Sequence, residues 1–464
     1  MTITDLESIF EEGNPWPPIS ERDRLSRYRT AKLVRANRYN ELWGDELRWL
    51  REDNLKELKV YLGLPWLAYK KTSDILLGNE TQIGFPKDDV RQPQLDELLI
   101  ANNFKQIMKE VLYDVDPLGD GVFKVYQDPE GNVKIQANSP SNWIPIVKSG
   151  AIRDIQYQIL FHAFKRDEKG QEKCYLNVEI HSKTEIGHRI YELNHSDITK
   201  TCTISKPRDL NDFSEEYPGL KDVEDNPLGQ FLVIPCHNVR TSDDLYGRGS
   251  VEGDLLGVLK SMIQRYAQVS RILDKHADLN MVAPIGFTEK NIITGKQQFR
   301  GGGRIFQYKH DPGMTAPDIH YLTPDFAGLD RAETEIKRYK EDIHNLLEFP
   351  PAAMATEGGL ADKSGTAWRL SLTPLLEKCA RLREELDWSA HKCLSVALLL
   401  IGMDPDGLFF KWSDGLPKIP IEEAQATSIL VGSKSRSAEG LMRQAGMSDE
   451  DIQQEQQEMN AGVL

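Results

Sequence analysis

Cysteine is too sparse in this chain to hold it together. Its five thiols, Cys174, Cys202, Cys236, Cys379 and Cys393, are odd in number and widely scattered over 464 residues. None forms a C-x-x-C pair or sits at zinc-site spacing from a histidine, so a disulfide scaffold and a structural zinc site are both excluded and the five read as reduced core thiols. Long apolar runs are missing as well. The best candidate, around 394–403, is about half of the ~20 residues needed to cross a bilayer, so no membrane-spanning protein is expected. The N-terminus carries Asp5, Glu7, Glu11 and Glu12 where a secretory signal would be basic and then apolar, which points to synthesis in the cytoplasm. Positive charge is in deficit too: 57 Lys and Arg stand against 72 Asp and Glu, a net charge of -15. Tight non-specific binding of DNA depends on cations neutralising phosphates, so a gripping DNA-binder is disfavoured. An acidic wall with sparse basic positions instead suits a duplex that slides past.

Catalytic motifs are equally scarce. No G-x-x-x-x-G-K-[ST] loop exists; Gly295-Lys296 is followed by Gln297 and lacks the upstream glycine, so nucleotide hydrolysis would belong to a partner. Gly247-Arg248-Gly249-Ser250 fits neither the dinucleotide fingerprint nor the nucleophile elbow. Asp114, Asp116 and Asp120-Gly121 look calcium-like, but Leu118 stands at a ligand position and no twelve-residue loop fits, so a turn is the better reading. The ten histidines form no cluster with Cys or carboxylates, and His237, His276 and His391 read as structural. The expectation is a protein that is not an enzyme and needs neither metal nor cofactor.

What is present is an ordered succession of elements, long enough for roughly three domain-sized units. Residues 20–60 read as helical, with Ser20 and Asp23 as possible starts. The basic cluster Arg22, Arg24, Arg27, Arg29, Lys32, Arg35 and Arg38 is expected to be a solvated helix face. A short apolar helix over 70–79 closes at Gly78, and another helix covers 95–113. From Gly119 the pattern turns to extended runs: 122–126, the turn 128–132, 133–137, then 152–164, 175–181, 187–192 and 231–235. Residues 206–227 read as a polar loop. A long amphipathic helix follows over 250–280, then a small Gly/Pro-rich insertion with β-like runs. A second helix opens at Asp330, where Asp330 and Glu333 have capping-box spacing, and stops at Pro350-Pro351. The small residues of 352–363 have almost nothing to bury and are expected to be mobile. A third long helix spans 364–401 and is expected to bend at Pro374. A short strand over 408–412 and small tail helices end the chain.

This order resembles the portal (connector) proteins of tailed bacteriophages. The local resemblance lies in Lys363-Ser364-Gly365-Thr366-Ala367-Trp368-Arg369-Leu370 followed by Thr373-Pro374-Leu375 and Lys378. Gly119-Asp120-Gly121-Val122-Phe123-Lys124-Val125 and Ile75-Leu76-Leu77-Gly78-Asn79 add to it. The stretch Arg383-Glu384-Glu385-Leu386-Asp387 is more acidic than the resemblance implies, and the tail is short.

The resemblance implies an α+β portal fold: N-terminal helices and a β-containing wing over 1–245, stem helices over 246–281 and 328–348, and a small α/β clip over 282–327. A tunnel loop over 349–363, a long bent wing helix with a strand over 364–420, and a short helical crown over 421–464 complete it. It further implies a dodecameric ring at one capsid vertex of the virion. The partners implied are the terminase large subunit, a head-tail adaptor, the major capsid and scaffolding proteins, and the double-stranded DNA passing through, with no membrane involved. Two amphipathic helices flanking a small insertion cannot bury both faces in a monomer, and head-to-tail contacts that close give a ring. Ring symmetry repeats each inward cation as a belt. Lys337, Arg338, Lys340 and Lys363 are the candidates, with Met354 and Thr356 on the loop; the other reading makes them solvated positions paired with Glu333, Glu335 and Glu341. Gln298, Arg300, Arg304 and Tyr308 are the candidates for partner docking at the clip. Two further readings stay open: a virion adaptor that moves no DNA, and a soluble enzyme whose 352–363 segment is a lid.

Overall fold

The computed structural model describes residues 6, 8–46, 63–78, 81–168, 170–194, 202–217, 220–276, 280–284, 289–290, 297–298, 305–308, 320–322, 327–354 and 370–412. The chain divides into two units, Met1–Trp412 and Ser413–Leu464. The expected tail helices of the second lie outside the described residues.

The fold is α+β. After strand β1 (Pro15–Trp16), helix α1 runs over Arg22–Arg35. The expected single helix over 20–60 ends early, because Asn37 turns left-handed (φ 56°) and starts the short helix α2 (Tyr39–Trp43). Residues 47–62 lie outside the described residues. Helix α3 (Leu64–Leu77) stops where expected, at Gly78 with φ 54°. Strand β2 (Gln82–Gly84) follows. The helix expected over 95–113 is two, α4 (Gln92–Ala101) and α5 (Phe104–Leu118), broken by Asn103 at φ 47°. The preceding Asn102 explains the break: its amide donates to Val133 O and accepts from Ile135 N, tying the corner to a strand edge. Helix α5 is strongly amphipathic and buries Phe104, Met108, Val111, Leu112 and Val115.

The hairpin of β3 (Asp120–Gln127) and β4 (Val133–Asn138) forms around the expected 128–132 turn. Strands β5 (Trp143–Lys148), β6 (Ala151–Glu168), β7 (Gln171–His181), β8 (Glu185–Leu193) and β9 (Cys202–Arg208) build a seven-stranded sheet in the order β1-β9-β8-β7-β6-β5, with β10 (Val223–Asp225) on β8. The region read as loop over 206–227 therefore contains the end of β9, a 3-10 turn (Leu210–Phe213) and β10. Phe213 is fully buried against Tyr175 and Phe164, a tertiary contact that local polarity hides. Strand β11 (Val233–His237) joins β3 and β4 in a three-stranded sheet.

Helix α6 (Gly253–His276) leads to β12 (Asn280–Pro284), β13 (Glu289–Lys290), β14 (Gln297–Gln298), β15 (Ile305–Tyr308) and β16 (His320–Leu322), and the chain returns through helix α7 (Ala327–Leu346). Helix α7 starts three residues before Asp330, so the expected capping box is wrong: Asp330 sits in the first turn, and its carbonyl accepts from Thr334. In the last long helix, Leu370 and Ser371 are helical, Leu372 interrupts the helix, and α8 (Thr373–Leu400) continues with Pro374 in its first turn, where the missing N–H costs nothing, so the break falls beside the proline. Strand β17 (Phe409–Lys411) pairs with β2. The largest apolar core unites α3, α5, β3, β4, α6, the end of α7 and α8. All five cysteines are buried.

Candidate functional site

Helices α6 and α7 form a hairpin. Strands β12 and β16, just past one helix and before the other, pair antiparallel with Asn280 opposite Leu322, so the two helices run in opposite directions. Leu259, Met262 and Ile263 bury one face of α6, and Ile336 and Ile343 one face of α7. Two polar contacts fix the register: Arg265 pairs with Glu335 at 2.6 Å, and the Lys340 ammonium lies 5.8 Å from the centre of the Tyr266 ring. Farther along α6, Ile272 and Leu273 are 40% and 50% exposed, apolar side chains that this subunit leaves uncovered.

The root of α6 is a backbone crossing. A Cβ on Gly247 would overlap Gly119 O and come within 2.8 Å of Asn238 N; one on Gly249 would overlap Pro117 O. Only glycine lets the 247–249 segment lie this close to the end of α5, with Gly119 itself at φ 98°. Ser250 N then donates to Asp116 O at 2.8 Å, and Asn238 N to Gly119 O at 2.7 Å. At the centre sits Asp120, fully buried, whose carboxylate accepts from Tyr28 Oη, His237 Nδ1 and Gly247 N. Burial and this carboxylate push the Tyr28 phenol well above its usual range, so it stays a donor. The residues 114–120 are thus the end of a helix and a hub, and the calcium-like pattern reflects helix, turn and strand start.

The far root, at the end of α7, is held by α8. Glu348 takes φ 51°, Phe349 N donates to His344 O at 2.9 Å, and Arg381 holds the Glu348 carboxylate at 2.6 Å. Lys378 Nζ, 4% exposed, donates to Leu347 O at 3.1 Å and pairs with the buried Asp116 carboxylate at 2.7 Å.

The basic cluster departs from the expected solvated face. Arg24 is buried; its guanidinium donates to Glu21 Oε2, Pro140 O and Trp143 O and lies 4.2 Å from the centre of the Tyr246 ring. Lys32 donates to Ser139 and Arg35 to Asp114. Arg27, Arg29 and Arg38 do remain exposed. These buried roles escaped the sequence because its stripe of Tyr28, Ala31 and Val34 passes directly beside Arg24 and Arg35.

Of the candidate channel residues, Lys337, Arg338 and Lys340 are exposed on α7. Glu335, one of their supposed partners, is taken by Arg265. Met354 ends a 3-10 turn (Pro351–Met354), whereas Thr356 and Lys363 lie outside the described residues. Gln298 is in β14 opposite Glu289 and Tyr308 ends β15 opposite Pro284; Arg300 and Arg304 lie outside the described residues. The sequence missed Asp120 and the Asp116–Lys378 pair as organising groups. The signal available was a charge inside an apolar stripe, Lys378 between Leu375 and Leu382.

No curated protein matches the chain. Among solved structures, a chain from "Neck of empty GTA particle computed with C6 symmetry" is similar with a TM-score of 0.46 at 13% identity, over 96% of this chain and 98% of that one. The model of the family "Phage portal protein, SPP1 Gp6-like" matches residues 23–462, from the start of α1 to the end of the tail. With nearly the whole length matched, the chain belongs to the SPP1 Gp6-like family of phage portal proteins.

Proposed function

We propose that the chain is one subunit of a dodecameric ring at a single capsid vertex, through which DNA is packaged by a terminase, retained and later ejected, and to which the tail attaches through an adaptor. The observation that carries this is the family match over residues 23–462. The α6–α7 hairpin supports it as the stem. It is amphipathic, and the exposed Ile272 and Leu273 leave apolar surface for a neighbouring copy to cover. In this reading 282–327 is the clip and 349–363 the tunnel loop, while 364–420 belongs to the wing and 421–464 is the crown. Lys337 and Arg338, exposed beside an occupied Glu335, face the duplex as belts of positive charge, weak enough for sliding. Lys340 joins them from its place over Tyr266. Met354, Thr356 and Lys363 touch the duplex transiently, and Gln298, Arg300, Arg304 and Tyr308 meet terminase or adaptor. Capsid and scaffolding proteins surround the ring in the virion. Motion comes from the partner motor, since the sequence carries no nucleotide-binding loop of the P-loop type.

Light scattering and negative-stain images of the purified full-length chain test the ring: the expected result is a closed assembly with a central hole. A monomer that stays monomeric with its scaffolding protein present would overturn it. Deleting part of 352–363 tests the loop, with rings still forming and packaging or retention impaired; unchanged packaging and retention would remove the loop from the mechanism.

A further inference from the structure

We propose that the buried Asp116–Lys378 ion pair is a joint that makes the two roots of the α6–α7 hairpin move together, and that both residues are positioning residues for the stem. The links are all short. The root of α6 is bonded to α5 through Ser250 N and Asp116 O at 2.8 Å, next to the Gly249–Pro117 crossing. The end of α7 is bonded to α8 through Lys378 Nζ and Leu347 O at 3.1 Å. The Asp116–Lys378 pair, 2.7 Å across, joins α5 to α8, so each residue of the pair also holds one root of the hairpin. Tyr69 closes the arrangement from α3: its hydroxyl accepts from Ser250 Oγ at 3.4 Å and its ring centre lies 5.9 Å from Lys378 Nζ.

Stability alone does not account for this pair. Asp116 and Lys378 are 2% and 4% exposed, and burying two charges is commonly no better than burying two apolar side chains of the same volume. Among the described residues the Asp116 carboxylate has no hydrogen-bond partner besides this ion pair. What the pair adds is direction: an ammonium with three donors can hold a carboxylate on one helix and a carbonyl at the end of another at fixed angles, which an apolar contact cannot do. A force on either hairpin helix therefore reaches α5 and α8 at one point, and the second root follows the first.

The test is carried out on the full-length chain with spin labels at the exposed positions Glu252→Cys and Asn345→Cys, one near each root. The background compares the native pair, the charge-free double variant Asp116→Asn with Lys378→Met, and the conservative Lys378→Arg. The double variant leaves no lone buried charge and is chosen because the single Lys378→Met can fail to fold. The expected result is a label-to-label distance distribution at least about twofold broader in the double variant, and amide exchange at Leu347 and Phe349 at least about tenfold faster, with Ser250 unaffected and Lys378→Arg close to native. An unchanged distribution in a folded double variant would overturn the joint. The readouts are internal to the subunit, so they stand whether or not the chain forms rings; the assembled mass, measured on the same samples, judges the ring reading separately.

Discussion

Gly247→Ala should nearly unfold the subunit, although it adds a single methyl group. The new Cβ would overlap Gly119 O and lie 2.8 Å from Asn238 N, both backbone atoms with no rotamer through which to retreat. Relieving it requires the 246–250 segment and the end of α5 to part by about 1 Å, an overpacking cost of roughly 1–3 kcal/mol. Parting them stretches the bond from Gly247 N to the Asp120 carboxylate, now 2.9 Å, and that from Asn238 N to Gly119 O, now 2.7 Å. A bond to a charged acceptor is worth about 1.5–3 kcal/mol and a neutral one about 1 kcal/mol. The expected loss is therefore about 3.5–7 kcal/mol, comparable with the whole stability of many domains. Urea unfolding followed by tryptophan fluorescence measures it, with Trp143 packed against Tyr246 as the local reporter. Gly131→Ala is the control: Gly131 has φ 84° but nothing within 4 Å, so only the left-handed backbone is strained, at about 1 kcal/mol. If Gly247→Ala costs no more than Gly131→Ala, the crossing is looser than its geometry implies.

The sheet should carry an acid-sensitive element. Burial pushes His181 and His188 below the usual histidine value, partly offset by Glu179, with Lys124 and Glu224 the other charged groups facing them. The folded chain then binds fewer protons than the unfolded one. Stability is fully present above about pH 6.5 and falls as pH drops through the depressed values. His188 has neither ring nitrogen bonded among the described residues, so His188→Leu should flatten that slope without loss at neutral pH; denaturation midpoints from pH 5 to 8 that keep the native slope would contradict this. Arg24→Lys keeps the charge but cannot reach Glu21, Pro140 O and Trp143 O together, and should cost about 2–4 kcal/mol in the same assay. A loss below about 0.5 kcal/mol would show that charge alone suffices there.

Periodicity and punctuation determined much of this protein. The apolar stripes of α6, α7 and α8 at threes and fours, the 128–132 turn, the stop at Gly78 and the order of helix, insertion and helix follow from local rules, because each depends on residues a few positions apart. The family resemblance was legible for the same reason: it lies in the order of elements and in short motifs. Tertiary structure decided the rest. The break at Asn103 depends on Asn102 reaching β4, 31 residues away, and the seven-stranded sheet needed β5 and β9, whose Pro145 and Pro207 mask their extended pattern. Arg24, Asp116, Asp120 and Lys378 look like solvated charges in the sequence. Only the fold brings Asp120 to His237, and Asp116 to Lys378, 262 positions apart in the chain, since a buried charge is stable only where distant partners converge on it.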